Sequence, residues 1–415
     1  MLVFLRSLIF IVLLPSLAGA ANLKDAVDIA QANNRNIKLE KIKLDATKTL
    51  KGEAMAEFLP NVSANAQYGQ RNSHYNGQLY DNSTKQKIQE LKVEQPIFDG
   101  LHSVSKYREA GYKIQSGDSK TADKIQEISF AAAMSYCNLF RYQEIVASYE
   151  EIAALGKEFA NLAARRRKLK VIDNAEIIKL NYEVAVLEEK RLDAINRFSK
   201  AKIEYQNVVG ELHTNLNPPE VYIEEFEPNK ILQAALMNNH SIKSSHYNYL
   251  ASKAAYNAEK SNFSPKVSMT ASASKQEKVV YLNNQDLSSR SVFLNVTVPF
   301  FQKGVEYSSM NKARYEKDAA LEEYEIAKQN ISKEVNQALE EYRFFLESSE
   351  SNRKLYELAQ ERAEIFDKRM AAKVEDPIEV IRAKIEANDR KVNYINSQID
   401  FIITHYKIKY FLGEI

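Results

Sequence analysis

The stretch Phe58-Leu59-Pro60-Asn61-Val62-Ser63-Ala64-Asn65-Ala66-Gln67-Tyr68 returns 205 residues later as Phe263-Ser264-Pro265-Lys266-Val267-Ser268-Met269-Thr270-Ala271-Ser272-Ala273. In both copies a proline comes shortly after an aromatic residue at the end of a helix-like run. Proline lacks an N–H and cannot continue a helix interior. The residues after each proline alternate with period two, the signature of a strand with one apolar face. Val62, Ala64, Ala66 and Tyr68 fall on one face, with Asn61, Ser63, Asn65 and Gln67 opposite; Val267, Met269, Ala271 and Ala273 alternate in the same way with Lys266, Ser268, Thr270 and Ser272.

The repetition extends outward from these corners. At the same shift, residues 31–66 give eleven identities, including Asn33-Asn34 with Asn238-Asn239. At a shift of 203, Gln95-Pro96-Ile97-Phe98 falls on Val298-Pro299-Phe300-Phe301, Lys170-Val171 on Lys373-Val374, and Glu176 on Glu379. A repeat of that size is a duplicated domain, not a solenoid unit. The expected organisation is a leader at 1–20, a first repeat at 21–212, a linker at 213–230 and a second repeat at 231–415. Four prolines, Pro60, Pro96, Pro265 and Pro299, border the expected strands. Leu91, Val93 and Ile97 form the apolar side of the second strand; Val292, Leu294, Val296 and Val298 form that of the fourth. The polar segments 71–87 and 277–288 read as loops.

Long proline-free stretches predict helices at 23–58, 101–168 and 174–212, and again at 231–263, 304–371 and 377–412. The longest reach ~100 Å at 1.5 Å per residue, beyond the width of a globular domain, so they need a coiled-coil-like partner surface. Ile177, Leu180, Val184, Leu187, Arg191, Ala194, Phe198, Ala201, Tyr205 and Val208 keep a 3,4 spacing without a break. A sustained seven-residue period implies left-handed supercoiling.

Composition narrows the classes. Of 415 residues, 57 are Lys or Arg and 55 Asp or Glu, a formal charge of +2 that speaks against a nucleic-acid binder. Only 11 Gly and 9 Pro leave little room for loops, and a single cysteine, Cys137, excludes an intramolecular disulfide framework. The six histidines are scattered, and none makes a helical zinc motif. No phosphate-binding loop or glycine-rich dinucleotide turn occurs. Neither a catalytic residue, a metal site nor a cofactor site is expected, and the chain is not read as an enzyme. Residues 1–20 carry Arg6, the apolar run Leu8 to Leu14 and a small-x-small end at Ala18-Gly19-Ala20, the pattern of a secretory leader. The mature sequence has no apolar run long enough for a spanning helix, so any membrane crossing must be a closed β-barrel. Four strands leave two unpaired edges, and further copies of the chain in closed symmetry are the usual remedy.

Taken in order, Asn22-Leu23-Lys24-Asp25-Ala26-Val27-Asp28-Ile29-Ala30, Phe58-Leu59-Pro60-Asn61-Val62-Ser63, Gln95-Pro96-Ile97-Phe98-Asp99-Gly100 and their second-half counterparts resemble the TolC-like outer membrane factors. That resemblance implies a mainly α fold with a transmembrane β-barrel. Three chains would give twelve strands in one outer-membrane barrel, and their long helices a periplasmic α-barrel. It implies an exit duct for an efflux pump or type I secretion system, located in the outer membrane of a Gram-negative bacterium. The implied partners are two further copies of the chain, outer-membrane lipid, a periplasmic membrane-fusion adaptor and an inner-membrane transporter of RND or ABC type. It further implies adaptor contacts at the two helix-joining tips, Lys170-Val171 and Lys373-Val374, where the family usually has glycine before the apolar residue. Arg165-Arg166-Arg167-Lys168 makes the first tip basic, through an adaptor role or simply to offset the helix dipole. Glu176 and Glu379 fall on the family's acidic entrance positions, and Arg382 where a second acid often sits. The alternative is a periplasmic coiled-coil scaffold or envelope structural protein with no pore, and the substrate stays undecided among drug, metal and protein.

Overall fold

The computed structural model describes residues 22–73, 82–169, 174–213, 215–220, 222–279, 285–301 and 303–415. The leader at 1–20 and two of the four tip residues, Lys170 and Val171, lie outside the described residues. The elements run α1 (Leu23–Asn33), α2 (Arg35–Ala56), β1 (Asn61–Ser73), β2 (Asn82–Phe98), α3 (His102–Lys168), α4 (Asn174–Val209), α5 (Pro228–Asn238), α6 (His240–Lys260), β3 (Lys266–Val279), β4 (Gln285–Thr297), α7 (Val305–Ala371) and α8 (Pro377–Leu412). Helices therefore dominate, with one four-stranded sheet. No described helix is long and apolar enough to cross a membrane.

Two expected helices are broken. The run at 23–58 divides at Asn34, whose ψ of 127° leaves the helical region. The run at 231–263 divides at Asn239, whose side chain accepts from the Ser241 and Ile242 amides at 3.0 and 3.2 Å and caps α6. Asparagine is a strong N-cap because its short side chain satisfies the first unpaired amides. The repeated Asn-Asn pair thus marks the same break twice. The strands also run further than expected, β1 to Ser73 and β2 from Asn82, β3 to Val279 and β4 from Gln285. Polar residues there continue the ladder instead of forming loops.

The chain divides into two compact units, each drawing on both sequence repeats. Among the described residues, the first draws on 22–35, 125–231 and 335–415. Within it α3, α4 and α8 meet along a common seam. Phe159 and Ala163 of α3 pack with Leu180 of α4 and with Ile378 and Ile381 of α8. Fourteen residues away on α3 and α4, Ile145, Tyr149, Ala194 and α8's Val392 form a second layer. Leu180, Leu187, Ala194 and Ala201 are all buried at heptad spacing. At the helix end the buried residue is Val209 and not Val208, the drift expected when 3.6 residues per turn meet a seven-residue repeat.

The second unit comprises residues 36–124 and 232–334 and contains the whole sheet. Its strands pair antiparallel in the order β1-β2-β3-β4, so β1 and β4 are the edges. Both hairpins turn at one end of the sheet; helices enter and leave at the other. The strand-to-helix corners carry paired left-handed residues, Gly100 (φ 75°) with Leu101 (φ 70°) and Lys303 (φ 60°) with Gly304 (φ 78°). Gly100 is obligatory, because a Cβ there would lie 2.5 Å from that of Ser264. Pro60 and Pro265 immediately precede β1 and β3, and Pro299 lies just past β4. Pro96, expected at a border, sits inside β2 beside an irregularity between Pro96 and Phe98. The β1 ladder has already ended at Asn61–Glu94, so one flank of β2 is unpaired there and the missing N–H need not break a ladder. The bulge removes Ile97 from the alternation: Phe98, not Ile97, pairs with Val267.

Candidate functional site

The sheet's register collects the apolar alternations on one face. Val62, Val93, Ala271 and Val292 form one cross-strand row, and Ala64, Leu91, Ala273 and Arg290 the next toward the hairpins. Toward the helices, Met269 pairs with Leu294, then Val267 with Val296. This face is uncovered: Val292 is 69% exposed, Leu294 65% and Val296 61%. The opposite face holds Ser63, Lys92, Ser272 and Ser291 in one row. There Lys92 pairs with Glu94 at 2.9 Å, and Ser272 meets Ser291 at 2.8 Å. Phe293 interrupts the polar face opposite Thr270. An apolar sheet face of this extent, left open, marks a surface that meets something apolar.

At the other candidate site, the α7–α8 turn, the Lys373 amide donates to the Met370 carbonyl at 2.8 Å and the Val374 amide to that of Arg369 at 2.9 Å. These are the two bonds of a Schellman cap, with Lys373 at the left-handed position, φ 60°. Glycine is the usual occupant there because it has no Cβ to clash. Val374, 70% exposed, stands at the turn's apex. Asp376 then caps α8, accepting from the Ile378 amide at 2.8 Å, and Pro377 opens the first turn.

Just past this turn lies a charge cluster. Arg382 of α8 donates from Nη1 to Glu379 at 2.5 Å on its own helix, and from Nε and Nη2 to both carboxylate oxygens of Glu183 on α4 at 3.2 and 3.3 Å. A forked guanidinium–carboxylate contact fixes geometry as well as charge. Burial opposes the Arg382 charge, but Glu183 and Glu379 outweigh it and raise its pKa. Arg166 of α3 holds Asp376 at 2.7 Å. Burial acts to raise the Asp376 carboxyl; Arg166 and the Ile378 amide outweigh this and keep it below the usual value. One heptad further, Lys190 of α4 holds Asp389 of α8 at 2.8 Å. On α8's other flank, Asp367 pairs with Lys384 at 2.9 Å and Arg362 with Glu386 at 2.6 Å. Glu176, in the exposed first turn of α4, is not joined to Glu379 and Arg382 by any of these contacts. Between α3 and α4 runs a groove of about 660 Å³ floored by Ala153, Gly156 and Leu187 and rimmed by Glu150, Glu188 and Arg191.

Known proteins share this architecture. Residues 231–413 match the model of a family described as outer membrane efflux protein. The chain is 20% identical to the outer membrane protein TolC of Salmonella enteritidis, with 96% of this chain and 83% of that protein covered. It is 21% identical to the outer membrane efflux protein BepC of Brucella suis biovar 1 (strain 1330), over 60% of this chain but only 55% of BepC, so the match spans about half of that relative. The fold superposes on the Campylobacter jejuni CmeC outer membrane channel with a TM-score of 0.81 at 15% identity, covering 94% of this chain and 85% of that one.

Over residues 231–413 the chain matches the outer membrane efflux protein family, and along nearly its whole length it is similar to TolC. These similarities place it among proteins of the Gram-negative outer membrane. In this chain the sheet leaves one apolar face open, and the described tip, Lys373-Val374, is a left-handed helix cap. Of the expected entrance residues, Glu379 and Arg382 are in contact. Sequence reasoning missed Glu183, because it lies 199 residues from its partner. The one available signal was the α4 heptad, which sets Glu183 beside the seam residue Val184.

Proposed function

We propose that this chain is one subunit of a homotrimeric exit duct for efflux. The observation that carries this reading is the four-stranded sheet with two unpaired edges, an open apolar face and a polar face opposite. Three such sheets joined β1 to β4 close a twelve-stranded barrel, a size within the range of outer-membrane barrels. The 67-residue helices α3 and α7, each about 100 Å, with the pairs α1–α2 and α5–α6 and helices α4 and α8, form the periplasmic tunnel. The two halves are read as one duplicated unit of about 200 residues, joined at 213–230. The duct is passive; energy comes from an inner-membrane transporter, through a periplasmic adaptor that meets the Lys170-Val171 and Lys373-Val374 tips. In this reading an adaptor hairpin packs along the α3–α4 groove.

Glu183, Glu379 and Arg382 are read as an entrance clasp. Glu379 is on the same helix as Arg382 and cannot tie two elements together, whereas Glu183 ties α4 to α8. Opening the entrance therefore requires the Arg382–Glu183 fork to release. Glu176, in the equivalent first turn of α4, is the first-half acid of the same entrance.

The test is reconstitution of the purified protein in planar bilayers. Discrete channels from a heat-modifiable trimer are the expected result. A monomer confined to the periplasmic soluble fraction, without conductance, would favour the coiled-coil scaffold. The cargo and the transporter class are decided by co-purification with the inner-membrane partner.

A further inference from the structure

Toward its hairpin end, the apolar face of the sheet changes character abruptly. Above the row Val62, Val93, Ala271 and Val292 come, on the same face, Arg290, then Lys275, Lys87 and Lys85. The pairings Ala273–Arg290, Gln89–Lys275–Ser288, Lys87–Glu277 and Gln70–Lys85 fix this register. Arg290, Lys275 and Lys87 come from three strands and are successive diagonal neighbours, each within reach of the next for long side chains, and Lys85 follows Lys87 on β2. Two acids share this end of the face: Glu277, 3.6 Å from Lys87, and Asp286, which alternates with Ser288 and Arg290 along β4. The opposite face, level with Lys275 and Lys87, presents Asn65, Glu90, Ser274 and Ser289, then Gln67, Ile88, Gln276 and Leu287, without a cation. Just below the patch a hollow of about 310 Å³ is lined chiefly by Leu91, Val93, Ala271, Ala273 and Val292, with Arg290 at its rim.

A cation on the lipid side of a barrel is costly at mid-membrane and tolerated near the interface. Tolerance accounts for the height of the patch but not for its side. At this level the wet, polar face would accept lysine at no cost, yet the cations sit on the face that continues the apolar band. If the sheet is a membrane barrel wall, the headgroup layer of the outer leaflet lies beside that face at that height.

We propose, resting on the reading of this sheet as a membrane barrel wall, that Lys275 and Arg290, flanked by Lys85 and Lys87, bind the phosphate groups of outer-leaflet phosphorylated glycolipid. One acyl chain lies in the hollow over Ala271 and Ala273. Guanidinium and ammonium groups together suit a phosphate, the first by its fork and the second as a point charge. In the trimer three such sites face outward around the barrel.

The test is native mass spectrometry of the purified full-length trimer in detergent, with bisphosphorylated lipid A and dephosphorylated lipid A as probes. The wild type is expected to retain bisphosphorylated lipid A, while the Lys275→Gln/Arg290→Gln variant retains at least tenfold less. Lys92→Gln, on the opposite face, is expected to bind as the wild type does. Dephosphorylated lipid A is expected to bind the wild type no better than the phosphorylated form binds the double variant. Undiminished binding by the double variant, or equal binding of both probes, overturns the proposal. Single-channel conductance of the same samples separates the two readings. A conducting double variant that binds lipid A normally refutes only the lipid site; absent conductance and insertion in the wild type refutes the duct, and the site with it.

Discussion

Arg382 concentrates the residue-scale chemistry of the proposed entrance. Its contact with Glu379 spans three residues of one helix, the kind of pair worth a few tenths of a kcal/mol. Its fork onto Glu183 joins two helices. Glu183→Gln is therefore expected to raise single-channel conductance more than Glu379→Gln does. Adding Arg382→Ala to Glu183→Gln should not sum the two single effects, since both remove one contact. Equal conductance in the wild type and all four variants, the two Glu→Gln changes, Arg382→Ala and the double, would remove these residues from the constriction. Lys373 tests the turn itself. A non-glycine residue at φ 60° carries a left-handed penalty of roughly 1–2 kcal/mol, so Lys373→Gly should stabilise the folded chain by about 1 kcal/mol toward denaturant, and a loss of stability would contradict the cap. His405 offers a pH test. It is buried against Phe226 and Tyr342, and neither ring nitrogen has a hydrogen-bond partner among the described residues. Burial, reinforced by Lys409, lowers its pKa from the ordinary 6.5, while Glu224, 4.0 Å away, pulls it back up. The folded chain keeps the ring neutral and the unfolded chain protonates it. This stabilisation is complete above about 6.5 and lost as pH falls through the lowered value. Melting temperatures from pH 8 to pH 5 should fall less steeply in His405→Phe than in the wild type; parallel curves would exclude His405 as the source.

At the scale of elements, the sheet makes the sharpest statement. Leu294 lies on the apolar face and Asn295 on the other, one residue apart. Leu294→Arg should cost roughly 2–4 kcal/mol if that position is near mid-membrane, while Asn295→Arg is tolerated; yield of assembled protein in the outer membrane measures the difference, and equal yields would reject the register. Much of this was legible in the sequence. The strand starts announce themselves through Pro60 and Pro265, and α8 through Pro377 at one end and Gly413, φ 74°, at the other. The break at Asn34 and Asn239 was not, because one polar pair inside a long helical pattern is also compatible with an unbroken helix. The outer parts of the strands were not legible either. Lys85, Gln89 and Lys275 alternate with polar neighbours, and alternation carries no signal when both faces are polar. The bulge at Ile97 was hidden because Pro96 reads as a border, and only the partner strand reveals which residue is left over. Glu183 was hidden for a different reason: periodicity places a residue on a face, but not opposite a side chain 199 positions away.

At the scale of the molecule, the single chain leaves its sheet unfinished. Edge strands β1 and β4 present unpaired backbone groups, which are costly in lipid unless they are paired. Within one chain these edges are separated by β2 and β3, and the proposed trimer pairs each with the edge of another copy. Cysteine cross-linking reads this directly. Cys137 is buried, with its thiol pushed up to about 12 by that burial, and Cys137→Ser gives a clean background. In it, Ala64→Cys on β1 is combined in turn with Val292→Cys, Leu294→Cys and Val296→Cys on β4. The trimeric barrel predicts that at least one combination forms oxidant-dependent links between chains, giving a covalent trimer on denaturing gels. No interchain link at any of the three positions, in protein extracted from the outer membrane, would contradict the barrel.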